Sequence, residues 1–315
     1  MRRRLPKKGN MIDIKVGITI IFFVVLVVSP STFSYAEGTS APLTPSLTES
    51  FHADLMTGSA VASVPIAVPP GRRGLQPGIA LGYSSSSPNN ICGVGWQLDM
   101  GSIQRNTKSG VPKYDSTDSF LVNMGGANAE LVDIGSGEYR AKQEGAFFKF
   151  SFDGTSWQVK DKSGTTYLFG SSANSRQTGP SGDFKWCLDR VVDLHGNYMS
   201  LSYIEDRSQL YPDEILYTGK EGADAPTNEV QFIYEARNDP FSGYRSGFEV
   251  TTAKRLSEVD VAANGQRARK YGFGYTYSPE TGRSLLTSVT QYGTDGVTAL
   301  PPITFDYQAG STIGQ

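Results

Sequence analysis

From Val61 to Tyr307 the chain alternates short apolar–polar runs with clusters of Gly, Pro, Asn, Asp and Ser. In 230–234 the apolar residues Val230, Phe232 and Tyr234 fall on one face at period two, the spacing of a half-buried strand. The same reading predicts strands over 61–68, 79–83, 94–99, 102–105, 129–134, 138–142, 146–152, 156–160 and 165–169. It continues over 184–194, 198–204, 214–218, 229–236, 248–261, 268–277, 285–291 and 303–307. Two prolines close the first run and mark it as an edge strand. Asp153-Gly154 is a hairpin signal, and 84–90, 171–183 and 218–228 read as loops. No long stretch holds a 3.6-residue period; 252–261 mixes charged and apolar residues, and strand suits it better than helix. The fold class is therefore all-β: antiparallel, multi-stranded sheets in a meander of hairpins, as part of a shell-like or sandwich architecture. Strand ends carry a loose recurrence, Leu201-Ser202-Tyr203, Phe232-Ile233-Tyr234, Phe273-Gly274-Tyr275 and Phe305-Asp306-Tyr307. Cross-strand aromatic packing accounts for it; divergent hairpin units stacked in one long sheet are the sharper reading.

The first residues follow another pattern. Arg2, Arg3, Arg4, Lys7, Lys8 and Lys15 precede an uncharged, mostly apolar run from Val16 to Val28. That run is too short for the roughly 20 residues of a membrane span. Pro30 breaks it, and Ser34-Tyr35-Ala36 puts small residues at −3 and −1 of a cleavage site before Glu37. The expectation is a Sec-type signal peptide over 1–36, with membrane contact only during export and a secreted or cell-surface product. A Ser/Thr/Pro-rich leader over 37–60 follows, then one β-rich domain over 61–315 with an internal sub-boundary near 171–183.

Composition narrows the function. Net charge is −2 in 315 residues, so no nucleic-acid partner is indicated. Gly (35) and Pro (17) supply turns; Tyr and Phe (16 each) favour strands. Export permits a disulfide between Cys92 and Cys187; two separate buried thiols are the other reading. With His52 and His195 these cysteines lack the paired spacing of a zinc site. Asp115 to Asp118 lacks an EF-hand pattern and reads as a solvated turn. Arg72 and Arg73, between glycines, read as a solvated loop. Gly93-Val94-Gly95-Trp96 reads as a turn that delivers an indole into the core; a Trp in a ligand groove is the alternative. Asp193-Leu194-His195-Gly196-Asn197 between two strands reads as a hairpin turn, although Asp193 and His195 would also suit a base and its partner. No nucleophile elbow, phosphate loop, H-E-x-x-H or C-x-x-C occurs. No cofactor, metal or catalytic residue is assigned, and an enzyme is not expected; a hydrolase built on two carboxylates is the residual alternative.

Several stretches together carry a resemblance. They are 65–120, opening PIAVPPGRRGLQPG and containing Gly93, Gly95 and Trp96; Trp157-Gln158-Val159 with 164–170; and Trp186 to Arg190 with Asp193, Gly196 and Asn197. Glu235 to Asp239 after Tyr234, and 300–307 (LPPITFDY), complete the set. In this order they resemble the SpvB-type N-terminal domain of the Salmonella virulence-plasmid B protein and of insecticidal toxin-complex B components, with an echo of Rhs/YD-repeat proteins. The resemblance spans roughly 61–307. It implies a non-catalytic carrier that contributes to a β-shell enclosing or presenting a toxin cargo outside this chain. The implied partners are further β-repeat shell segments or a toxin-complex subunit, and open sheet edges imply oligomerisation. Family members usually continue into further repeats, so a truncated product or a reduced whole protein is expected. A stand-alone cell-surface module binding carbohydrate or protein is the alternative.

Overall fold

A computed structural model describes residues 12–13, 52–54, 57–125, 127–143, 145 and 147–308. The apolar run 16–28 and the cleavage pair Ala36 and Glu37 lie outside the described residues. Of the first 51 residues only Ile12–Asp13 is described, antiparallel to Asp306–Tyr307.

Inward alternation along short strands closes a barrel of 8 strands. Its strands are Ser102–Arg105, Phe120–Met124, Ala127–Gly135, Glu138–Ala141, Lys149–Phe152, Trp157–Lys160, Thr166–Phe169 and Gly182–Val192, all antiparallel to their neighbours. A ring of this size has an interior that side chains just fill. Aromatic rings fill this one. Trp157 stacks on Phe152 at 4.6 Å between centroids, and lies 4.9 Å from Phe120 and 6.2 Å from Trp186. The guanidinium of Arg105 sits 5.4 Å from the Phe120 ring and pairs with Asp118 at 2.9 Å.

Gly182–Val192 is the junction of the molecule. Its first half pairs with Ser102–Arg105 on one edge and Arg176–Gly179 on the other. Its second half pairs with Thr166–Phe169 and, on the opposite edge, Asn197–Asp206. From that edge a meander continues through Gln209–Lys220, Asn228–Gly243, Val250–Ala263, Gln266–Tyr277 and Ser284–Tyr292 to Ile303–Thr304. A smaller sheet of His52–Ala53, Ala60–Ile66, Ile79–Ser84 and Trp96–Leu98 packs on the meander. Tyr217 donates its hydroxyl to the Pro69 carbonyl at 3.0 Å, and the Ala67 amide donates to the Tyr271 hydroxyl at 3.0 Å. Pro65 lies on the edge of this sheet, where its missing N–H costs no ladder bond.

The strand ends are a true structural repeat. Tyr203, Tyr234, Tyr275 and Tyr307 each donate a hydroxyl to a backbone carbonyl of an earlier strand: Leu188 at 2.7 Å, Pro212 at 2.7 Å, Leu256 at 2.6 Å and Leu286 at 2.7 Å. Three residues after each accepting residue stands a buried aliphatic, Val191, Ile215, Val259 or Val289. Ladder irregularities fall just before Tyr203, Tyr234 and Tyr275. The recurrence read as cross-strand packing thus carries a repeated hydroxyl-to-carbonyl bond between strands.

Some expectations need correction. The pattern leaves 106–128 without an element, yet Phe120–Met124 is a barrel strand. The polar stretch 171–183 holds a short 3-10 turn, Ala173–Ser175, and the strand Arg176–Gly179. His52–Ala53, inside the stretch read as leader, pairs with Val61 and Ala60. Cys92 and Cys187 are free, which corrects the disulfide reading. Cys187 lies on the barrel strand, whereas Cys92 sits in the loop held against the meander near Arg237. Each is buried as a small apolar side chain, and burial raises both thiols above the usual range.

Candidate functional site

The densest polar cluster forms where a strand leaves its ladder. In Asn228–Gly243, Ala236 pairs with Lys254 but the next paired residue is Phe241, opposite Thr252. Residues 237–240 therefore bulge against a single residue, Ala253. The freed amides of Ala253 and Lys254 donate to the Tyr211 hydroxyl at 3.0 and 3.2 Å. The bulge turns Arg237 inward, where its side chain is fully buried. Arg237 grips Asp239 in a two-point pair, Nε–Oδ1 3.0 Å and Nη2–Oδ2 2.8 Å. It also donates to the Asn90 carbonyl and to Asn89 Oδ1, both at 2.9 Å. Asp239 further accepts from the Ser284 amide (2.8 Å), the Ser284 hydroxyl (2.6 Å) and Asn89 Nδ2 (3.2 Å). Burial alone would raise the Asp239 carboxyl; the Arg237 and Ser284 hydrogen bonds outweigh it and hold the group far below the usual carboxylate range. Both oxygens are spent on neighbours. The cluster clamps the loop before Trp96 to two meander strands, and it offers no free lone pair to a substrate.

That loop explains its glycines. Gly93 has φ +91°, and an added Cβ would lie 2.8 Å from the Ser284 carbonyl oxygen. Gly95 has φ +80°, and its Cβ would lie 2.4 Å from the Tyr83 ring. Trp96 follows, fully buried, with its indole N–H donating to Tyr307 at 2.9 Å and its rings against Tyr83 and Phe305. Trp157 and Trp186 are buried in the barrel; Trp186 donates to the Thr155 carbonyl at 2.8 Å, and the Trp157 indole nitrogen has no partner among the described residues. None of the three indoles lines a ligand groove.

Asp193, Gly196 and Asn197 form a hairpin turn. Asp193 Oδ1 accepts from the amides of His195 (2.7 Å) and Asn197 (2.9 Å), and Oδ2 accepts from Asn197 Nδ2 (2.6 Å). Gly196 takes φ +75°. Burial would raise the Asp193 carboxyl, and these hydrogen bonds bring it below its usual range. His195 is exposed, and Asp193 meets its backbone amide rather than its ring. Asp118 is likewise spent, on Arg105 and on the amides of Lys113 and Tyr114. Arg72 pairs with Asp224 at 2.7 Å.

Sequence reasoning missed two carboxylate features. Asp189 is buried, accepts from Ser171, Ser172 and Ser175 through Oδ2, and leaves Oδ1 without a partner among the described residues. Glu214 and Glu229 are hydrogen-bonded to each other; burial, then Glu229, raises the Glu214 carboxyl. Such a pair sits closer than the roughly 5 Å needed between the two carboxyls of a retaining glycosidase. The signal for it lay in the register, Leu216 opposite Glu229, which the separate strand patterns do not carry.

The class is thus an all-β antiparallel domain whose motif residues are consumed by its own packing. Residues 55–149 match the family model described as Salmonella virulence plasmid 65kDa B protein. The chain is similar to the mono(ADP-ribosyl)transferase SpvB of Salmonella choleraesuis (strain SC-B67), 26% identical over 63% of this chain and 47% of that protein. The Salmonella typhimurium protein of the same name is 25% identical over the same shares, so the chain spans about half the length of the curated relatives it matches. Among solved structures, the N-terminal domain of effector protein SpvB from Salmonella typhimurium strain LT2 superposes with TM-score 0.62 at 20% identity, over 73% of this chain and 98% of that one. A TcdB2-TccC3-TEV structure superposes with TM-score 0.69 at 20% identity, over 85% of this chain and 16% of that one. The resemblance read from the motifs holds in sequence and in fold.

Proposed function

We propose that this chain is a non-catalytic, exported structural module of an SpvB-like or toxin-complex-type virulence protein. Its β-wall encloses or presents a toxin cargo that lies outside these residues. The observation that carries the reading is the fate of the family-like motifs. The Arg237–Asp239 clamp, the Asp193 turn and the three indoles are each used up in holding strands together. A filled barrel grafted onto a long meander is suited to building wall, and its outer strand extends through backbone pairing. The partners in this reading are further β-repeat segments or a toxin-complex subunit. The apolar segment before Ala36 carries the chain through a Sec-type pathway to the medium or the cell surface.

The test is turnover on the purified chain, with an ADP-ribose donor and with chromogenic glycosides. No turnover is expected. Hydrolysis that disappears in Glu214→Gln, with melting unchanged, would replace the carrier by an enzyme. A second reading, a stand-alone surface module that binds carbohydrate, is favoured by the open polar cavities beside the junction strand.

A further inference from the structure

The outer face of the barrel carries a polar row in which Gln177 is buried and donates to the Ser208 carbonyl, while Gln104 and Lys185 are only half-buried. Lys185 lies opposite Gln104 on one neighbouring strand and opposite Gln177 on the other. Trp186 points into the barrel, so these three side chains share its outer face. Gln104 and Lys185 line two cavities, of about 280 and about 240 Å³, and Gln177 lines the second. Arg245, on the turn closed by the Gly247 amide and Tyr244 carbonyl, joins the second to an open cleft of about 580 Å³. That cleft also holds Lys108 and the exposed ring of Tyr244.

The chemistry along this trough is specific. Among the described residues, Lys185, Arg245 and Lys108 have no carboxylate within ion-pair distance. Two acids stand nearby: Asp99 accepts the Gly101 amide at 3.0 Å, and Glu249 is hydrogen-bonded to Tyr244. The side-chain amides of Gln104 and Asn123 find no partner within the described chain, and each offers both donors and an acceptor. Unpaired cations that converge with amides in a cleft focus a positive potential there, which draws anionic ligands. We infer that this trough binds an acidic oligosaccharide, with its hydroxyls on the amides, its carboxylates on Lys185 and Arg245, and one ring against Tyr244. An acidic peptide is the competing ligand that the test separates, since Arg176–Gly179 is paired with Gly182–Val192 alone among the described strands.

Trigalacturonate titrated into the full chain by calorimetry, at 0.15 M salt, is the test. Binding is expected, with maltotriose and hexaglutamate both at least tenfold weaker. Lys185→Gln and Arg245→Gln should each weaken trigalacturonate about tenfold, while Lys162→Gln on the far loop leaves it unchanged. Arg245 is exposed on a turn, so its variant reads the site even if Lys185→Gln lowers the melting temperature. No heat with trigalacturonate, equal binding of hexaglutamate, or an equal loss in Lys162→Gln would each overturn the inference. The carrier reading stands or falls separately, since this binding is measured without partners.

Discussion

Asp239 shows how one residue can look functional in sequence and be structural in space. The segment Tyr234 to Asp239 carries charge in a compact motif, which usually draws attention as chemistry. Only the bulge after Ala236, invisible in a period-two pattern, turns Arg237 into the interior and gives Asp239 its donors. Breaking a buried pair strands a charge, so Asp239→Asn and Arg237→Met should each cost about 3–5 kcal/mol in denaturant unfolding. Because the folded carboxyl sits below its unfolded value, its contribution is present above about pH 4 and lost as pH falls through the folded value. Wild-type melting temperature should therefore drop between about pH 5 and pH 2, and Asp239→Asn should flatten that drop. The thiols give a second residue-scale test. Both cysteines are free and buried, so a thiol reagent without reductant should find two thiols per unfolded chain and almost none in the native one. Finding none after unfolding would restore the disulfide. Sequence left these two readings open because Cα separation is not legible from spacing.

At the scale of the element, alternation and turn chemistry made most strands legible. Residues 102–105 and 165–169 read as strands and form Ser102–Arg105 and Thr166–Phe169. Strand lengths were less legible: the expected 214–218 extends to Gln209–Lys220 across Pro212, and 229–236 extends to Asn228–Gly243 across Pro240. Pro212 is tolerated where the next strand has not begun to pair, and its carbonyl is taken by Tyr234 instead. The tyrosine repeat generalises this. Each hydroxyl satisfies a carbonyl beside a buried leucine or proline, so removing it orphans a buried acceptor. Tyr275→Phe and Tyr234→Phe should each cost about 1–3 kcal/mol while keeping the fold. Gly95→Ala should cost more than either, because a side chain at φ +80° would also meet the Tyr83 ring. Equal melting of Gly95→Ala and wild type would contradict the described loop.

At the scale of the whole molecule, the all-β class and the meander of hairpins were legible, while barrel closure was not. Closure depends on Gly182–Val192 offering different neighbours to its two halves, a long-range pairing that local patterns do not encode. The candidate site was legible only in part. Trp96 read as core and is buried, but the Gln104–Lys185–Gln177 row is assembled from three strands and has no sequence signature. Export is a prediction at this scale: the N-terminus of the extracellular product should begin at Glu37, and a product retaining Arg2 to Arg4 would exclude cleavage. The central claim is that this β-wall works as part of a larger assembly. The most direct measurement is the mass of the native protein recovered from culture medium, by light scattering after affinity capture through an antibody to the folded domain. A particle well above the 34.1 kDa of the chain is expected, with further β-segments or a toxin-complex subunit in it. A single species at or just below that mass, alone and stable, would contradict it.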